Sequence, residues 1–232
     1  MGFFTRRLNL ATSLRNSTSC RARAGGLVTA VALALPAAAY AGPEEPITPP
    51  RSAEALESVD LAQILDWPLS SQMAVITTLF TYGLPSETGH TMWTWHNTGP
   101  WLRTIVHRDE VRHDFPVPHY DVIEQEVGYS VPIDKLGELA TLSGSLLVDR
   151  TKGTLSARCD KEELNFLAIN LANDLVNDVQ RPEEARSFYA GAASRFAAGE
   201  VTDYLRGFVF APSLTPLPDA GVPFASDAAP AE

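Results

Sequence analysis

The apolar period of this chain changes near residue 160, and that change limits the fold more than any other feature. In residues 121–132, Ile123, Val127, Tyr129 and Val131 alternate with Glu124, Glu126 and Ser130. The stretch "SLLVDRTKGTLSARC" alternates in the same way around Lys152-Gly153. Beyond it, Leu164, Leu167, Leu171 and Leu175 recur at steps of three and four. A period of two buries one face of a strand, and a period near 3.6 buries one stripe of a helix. Strands set apart from a later run of helices define an α+β fold. We expect a small antiparallel sheet, two hairpins plus one strand, covered by C-terminal helices, with one or two N-terminal helices.

Local signals place the elements. Ser52 is suited to cap a helix that turns Leu56, Val59, Ile64 and Leu65 inward and ends at Pro68. "SSQMAVITTLFTYGLP" closes with Gly83 and Pro85, a helix stop, although its β-branched interior leaves residues 70–82 open to a strand. Residues 90–96 and 101–108 read as a hairpin around Asn97-Thr98-Gly99-Pro100. The second hairpin turns at Lys152-Gly153, or through a three-residue loop with a bulge at Gly153. A short helix is expected from Asp134 to Leu142. Asp160 and Glu163 resemble a capping box for the leucine-striped helix. A further helix starts at Pro182, with Glu183 and Glu184 in its first turn, and stops at Gly199. Its apolar face is Ala185, Phe188, Tyr189, Ala192 and Phe196.

Residues 1–41 carry five arginines and no acidic residue, then an apolar run ending in Ala39-Tyr40-Ala41. This is the pattern of a secretory signal peptide, with an organelle transit peptide as the alternative. The expected location is therefore exported, periplasmic or extracellular, or else an organelle lumen. Residues 42–51 are a proline-rich linker, 52–210 a single α+β domain and 211–232 a disordered Pro/Ala-rich tail. Without the leader, 13 of the 18 basic residues remain against 28 acidic ones, a net charge of −15. That charge argues against nucleic acid and anionic membranes as partners. No stretch beyond the leader is long and apolar enough to span a bilayer. Of the two cysteines, only Cys159 lies beyond the leader, so no disulfide forms within the domain and its core must supply the stability.

All five histidines fall between His90 and His119, amid Asp109 and Asp121. Imidazole and carboxylate are ligands for zinc, and copper also accepts imidazole. The spacing of His107, His113 and His119 matches no metal motif. If His96 pairs with Trp101, then Trp93 and Trp95 share the core face, and His90, His96, Arg103 and His107 the other. His90 and His107 then stand opposite each other, about 5 Å apart at Cβ. The candidate ligands are His90, His107, His113, His119, Asp109 and Asp121, for zinc or copper. Cys159 is a thiol candidate before a helix N-terminus, although its register puts it on an apolar face.

There is no G-x-S-x-G, no phosphate loop and no haem-attachment motif. The expected function is that of an exported accessory protein acting on a protein partner. Phe115, Tyr120, Asn170, Asn173 and Asn177 are the interface candidates. The alternative is a metal-binding protein or metal-dependent exported enzyme using the histidine cluster.

Overall fold

The computed structural model describes residues 60–217. Within them the chain opens with a 3-10 turn, Leu61–Ile64, and the helix α1, Leu69–Tyr82. Strands β1 (Glu87–Thr88), β2 (Met92–Thr98), β3 (Trp101–His113) and β4 (His119–Gly128) follow. A 3-10 turn at Ile133–Lys135 leads into α2, Leu136–Leu142. The hairpin β5 (Leu146–Asp149) and β6 (Thr154–Cys159) comes next. The helices α3 (Glu162–Val176), α4 (Pro182–Ala197) and α5 (Asp203–Arg206) complete the order. The strands form one antiparallel sheet ordered β1-β2-β3-β4-β6-β5. The fold is α+β, with β1 as an edge strand additional to the expected five.

One face of the sheet carries the core. Trp93, Val106, Ile123 and Cys159 stand side by side across four strands, and all are buried. Residues 70–82 are helical. α1 buries Ala74, Val75, Thr78 and Leu79, one stripe at helical spacing, and Ala74, Val75 and Leu79 share a cluster with Trp93 and Trp95. The Trp95 indole donates to the Gly83 carbonyl at 2.8 Å, tying the helix end to β2. Gly83 stops α1 at φ 82°, a conformation that favours glycine. α3 packs its leucine stripe in a second cluster with Trp101, Val127, Leu155 and Ala157. The Glu162 carboxylate joins the two, accepting from Tyr82 of α1, Trp101 of β3 and Gln125 of β4.

Several expectations need correcting. Ser52 and its neighbours through Val59 lie outside the described residues, and Leu65 is exposed rather than inward. The first hairpin pairs His96 with Arg103 and Thr98 with Trp101, two positions away from the expected register. A shift of two keeps every side chain on its face, so Trp93 and Trp95 are core as expected. Asn97 adopts φ 53°, a left-handed conformation that asparagine tolerates. Strict alternation fails there, and Thr98 and Trp101 become buried. The Asp160–Glu163 capping box does not form. The N-cap of α3 is Lys161, without a side-chain cap, and the reciprocal bond occurs instead at α4, between the Arg181 N–H and Glu184.

Residues 213–217, expected to be loose tail, bond to the sheet. The Ser213 N–H donates to Gly128 and that of Leu217 to Arg150. A Cβ on Gly128 would lie 2.8 Å from the Leu214 nitrogen, and one on Gly153 would lie 2.6 Å from the Thr215 carbonyl carbon. Only glycine admits a backbone this close. Residues 218–232 lie outside the described residues.

Candidate functional site

The two ends of β3 treat their histidines differently. Toward the first hairpin, side chains on the face away from the helices form ion pairs, and Glu126 also takes Lys152. His96 meets Glu87 at 3.0 Å, Arg103 meets Glu126 at 2.8 Å and His107 meets Glu124 at 2.9 Å. Burial alone would push the Glu124 carboxyl up, but hydrogen bonds from His107 and Ser156 outweigh it and hold the carboxyl below its usual range. Met92, not His90, stands opposite His107, because of the two-residue register shift. The expected His90–His107 pair therefore does not exist. Asp109 is exposed beside Arg158, which donates to its carbonyl at 2.7 Å, so it is not part of a histidine cluster.

Beyond His107, β3 bulges. From Val106 to Val111 it advances five positions while β4, from Ile123 to Asp121, advances two. The bulge resets the register so that His113 and His119 stand directly across from each other, their rings 5.0 Å apart. Asp121 follows His119 at i+2 on β4, the same strand face. Its side chain is 2 % exposed.

The Asp121 carboxylate sits between the two imidazoles. Oδ2 accepts from the Ser145 hydroxyl and lies 3.3 Å from His113 Nδ1. Oδ1 lies 3.0 Å from His119 Nε2. That approach does not have hydrogen-bond geometry, and Oδ1 is a buried oxygen with no hydrogen-bond partner. The other nitrogen of His119, Nδ1, is 2.8 Å from the Val117 carbonyl. A carbonyl only accepts, so Nδ1 carries the proton. Nε2 is left facing Asp121. It also lies 3.4 Å from Cys159 Sγ, at the end of β6.

Asp121 and Cys159 hold His119 positively charged in the metal-free protein, pushed up to about 11. Burial pushes the Cys159 thiol up, only partly offset by His119. A thiol so placed is a poor nucleophile. The geometry also differs from a catalytic relay, in which the thiol and the carboxylate bind opposite nitrogens of the imidazole. Here both approach Nε2.

The ligand atoms of His113, His119 and Asp121 all lie within 4.8 Å of one another, as do those of His119, Cys159 and Asp160. His113, His119 and Asp121 are thus the members of the expected set that come together. Among the described residues, no three imidazoles gather around one point. Ser145 and Asp160 were missed from sequence. Neither belongs to a histidine-rich stretch, and only the β5–β6 hairpin brings them here.

The interface candidates divide. Tyr120 is exposed. Phe115 is half-buried instead, its ring 5.3 Å from Tyr189 and 3.8 Å from the Arg186 guanidinium. Asn170 is fully buried, donating to Tyr204 and Gly207 and accepting from the Val209 N–H. It fixes the C-terminal segment rather than facing a partner. Asn173 accepts from Tyr129, and Asn177 is exposed and donates to Asn173. Among the described residues, no helix is long and apolar enough to cross a membrane. Comparisons with protein-family models, with curated proteins and with solved structures find no match to this chain.

Proposed function

We propose that this is an exported metal-binding protein that holds one transition-metal ion of the zinc class at His113, His119 and Asp121. The observation that carries this reading is the unpartnered Oδ1 of Asp121, buried 3.0 Å from His119 Nε2. A buried carboxylate oxygen without a hydrogen-bond partner, beside imidazole nitrogens, is a place that a cation would stabilise, the metal displacing the His119 proton. The surroundings support it. Metal-binding histidines donate their second N–H to a carbonyl, and ligating carboxylates are themselves hydrogen-bonded. Val117 and Ser145 fill those two roles. A His₂-carboxylate set leaves a coordination position open, as ligand-exchanging sites do.

Calorimetric titration of the untagged protein with zinc tests the reading. One ion per chain is expected, lost in Asp121→Asn and in His119→Ala and kept in the double variant His90→Ala/His107→Ala. Absence of saturable binding in the wild type, or its loss in the double variant, would overturn it. Export is tested by sequencing the N-terminus of the secreted protein, which should begin at Gly42.

A protein partner is a second reading, supported by the exposed Leu69, Met73 and Phe80 on α1. Exposed apolar side chains grouped along one helix suit a partner surface. A photo-crosslinker at position 73 should give one adduct of defined mass in the exporting cell, and one at Glu200 none. Equal labelling at both positions would sink this reading.

A further inference from the structure

Cys159 is the last residue of β6, 4 % exposed, paired in register with Ile123 on the helix-covered face. Its sulfur has the polar neighbours His119 Nε2 at 3.4 Å and Asp160 Oδ1 at 3.5 Å, with the Tyr189 hydroxyl also beside it. Resting on the metal reading above, we propose that Cys159 enters the coordination as a thiolate, completing a His₂-Asp-Cys set selective for a borderline or soft cation such as zinc or copper(I).

The distances around His119 match those between ligands on one ion. With metal–nitrogen bonds of about 2.0 Å and metal–sulfur bonds of about 2.3 Å, two tetrahedral ligands stand about 3.5 Å apart. Nε2 to Sγ is 3.4 Å. The nitrogen–oxygen separations, 3.0 Å at His119 and 3.3 Å at His113, fall near the about 3.4 Å expected for a nitrogen and an oxygen on the same ion. A second, independent feature points into the same place, the unpartnered and buried Asp121 Oδ1.

The convergence of sulfur and oxygen on a single imidazole nitrogen is what a ligand arrangement requires and a proton relay does not. His119 is the member shared by two groups, one with His113 and Asp121 and one with Cys159 and Asp160, so on binding the Cys159 side chain moves toward Asp121 to join the ion held on Nε2. On binding, the Cys159 S–H bond breaks and a metal–sulfur bond forms. The thiol already donates toward Asp160, so that carboxylate receives the proton and passes it to solvent, to which its side chain is 25 % exposed. No oxidant is involved. A thiolate donor discriminates against magnesium, calcium and manganese, which take oxygen ligands.

Cobalt(II) serves as the probe, titrated into the reduced, untagged full-length protein. An intense sulfur-to-cobalt charge-transfer absorption should grow to one equivalent. It should vanish in Cys159→Ser, which should still bind cobalt by calorimetry and keep the wild-type circular dichroism. Zinc affinity should fall at least about tenfold in Cys159→Ala. Millimolar magnesium or calcium should not displace the cobalt. Cobalt bound in the wild type without the charge-transfer band overturns the thiolate assignment alone and leaves the three-ligand site standing. Failure of cobalt and zinc to bind at all overturns the metal reading itself. Unaltered zinc affinity in both cysteine variants also removes Cys159 from the site.

Discussion

His107 and His119 lie on neighbouring strands of one sheet, and each meets a carboxylate at about the same distance, 2.9 Å and 3.0 Å. The two pairings differ in every other respect. His107 and Glu124 face away from the helices, make a hydrogen bond in good geometry, and share their surroundings with Ser156. Charge and donors balance there without any added group. His119 and Asp121 lie on the helix-covered face, without hydrogen-bond geometry, and an oxygen is left over. The first arrangement is a finished ion pair. In the second, one carboxylate oxygen lacks a hydrogen-bond partner, the place that a metal ion would fill on the proposed reading. An ion pair between imidazole and carboxylate is thus no sign of a metal site by itself. The unmatched lone pair is the sign.

The largest test of this contrast is Asp121→Asn. It should weaken zinc binding by at least about 100-fold, and in the metal-free protein it should cost about 3 kcal/mol in denaturant unfolding, since it breaks a buried charged pair. Glu124→Gln, the matching change on the other face, should cost about 1–2 kcal/mol and leave zinc affinity unaltered. If it weakened zinc binding as much as Asp121→Asn, the contrast would fail.

Acid sharpens the comparison from one side. The Glu124 carboxyl is held below its ordinary value of 4.5, so its pairing stabilises the fold above that pH. The stabilisation is lost as pH falls through the lowered folded value. Unfolding curves between pH 6 and pH 3 should show a loss in the wild type that is smaller in Glu124→Gln. The smallest effect belongs to His96→Ala. Its partner Glu87 has a side chain 72 % exposed, so the change should stay within about 0.5 kcal/mol in the same assay.

Much of the fold was legible in the sequence because periodicity reports burial directly. The leucine stripe of α3, the alternation in β4 and β6, and the core placement of Trp93 and Trp95 all follow from it. Asn170 was misread for the opposite reason. On an isolated helix it belongs to a polar stripe, but α3 is covered on its far side by the segment through Val209, and the asparagine bonds that segment's backbone. Periodicity identifies one buried face and carries no information about a second layer.

The candidate site shows the same division more sharply. The residue types were visible: histidines and aspartates gathered in residues 90–121, and a lone cysteine at the end of a strand. Which of them meet was not. Two register events decided it, the two-residue shift that puts Met92 opposite His107 and the bulge that brings His113 opposite His119. A shift of two leaves every apolar residue on its face, so the hydrophobic pattern cannot sense it. The bulge adds residues to one strand only, and its position depends on how β3 packs against both neighbours. By itself, then, the sequence determined an α+β chain with a tryptophan-lined core and a store of metal-ligand side chains. Only the tertiary structure brought His113, His119 and Asp121 together, with Cys159 beside His119. Strand register and the β6–α3 junction are settled by packing between elements far apart in the chain, and no local pattern encodes them.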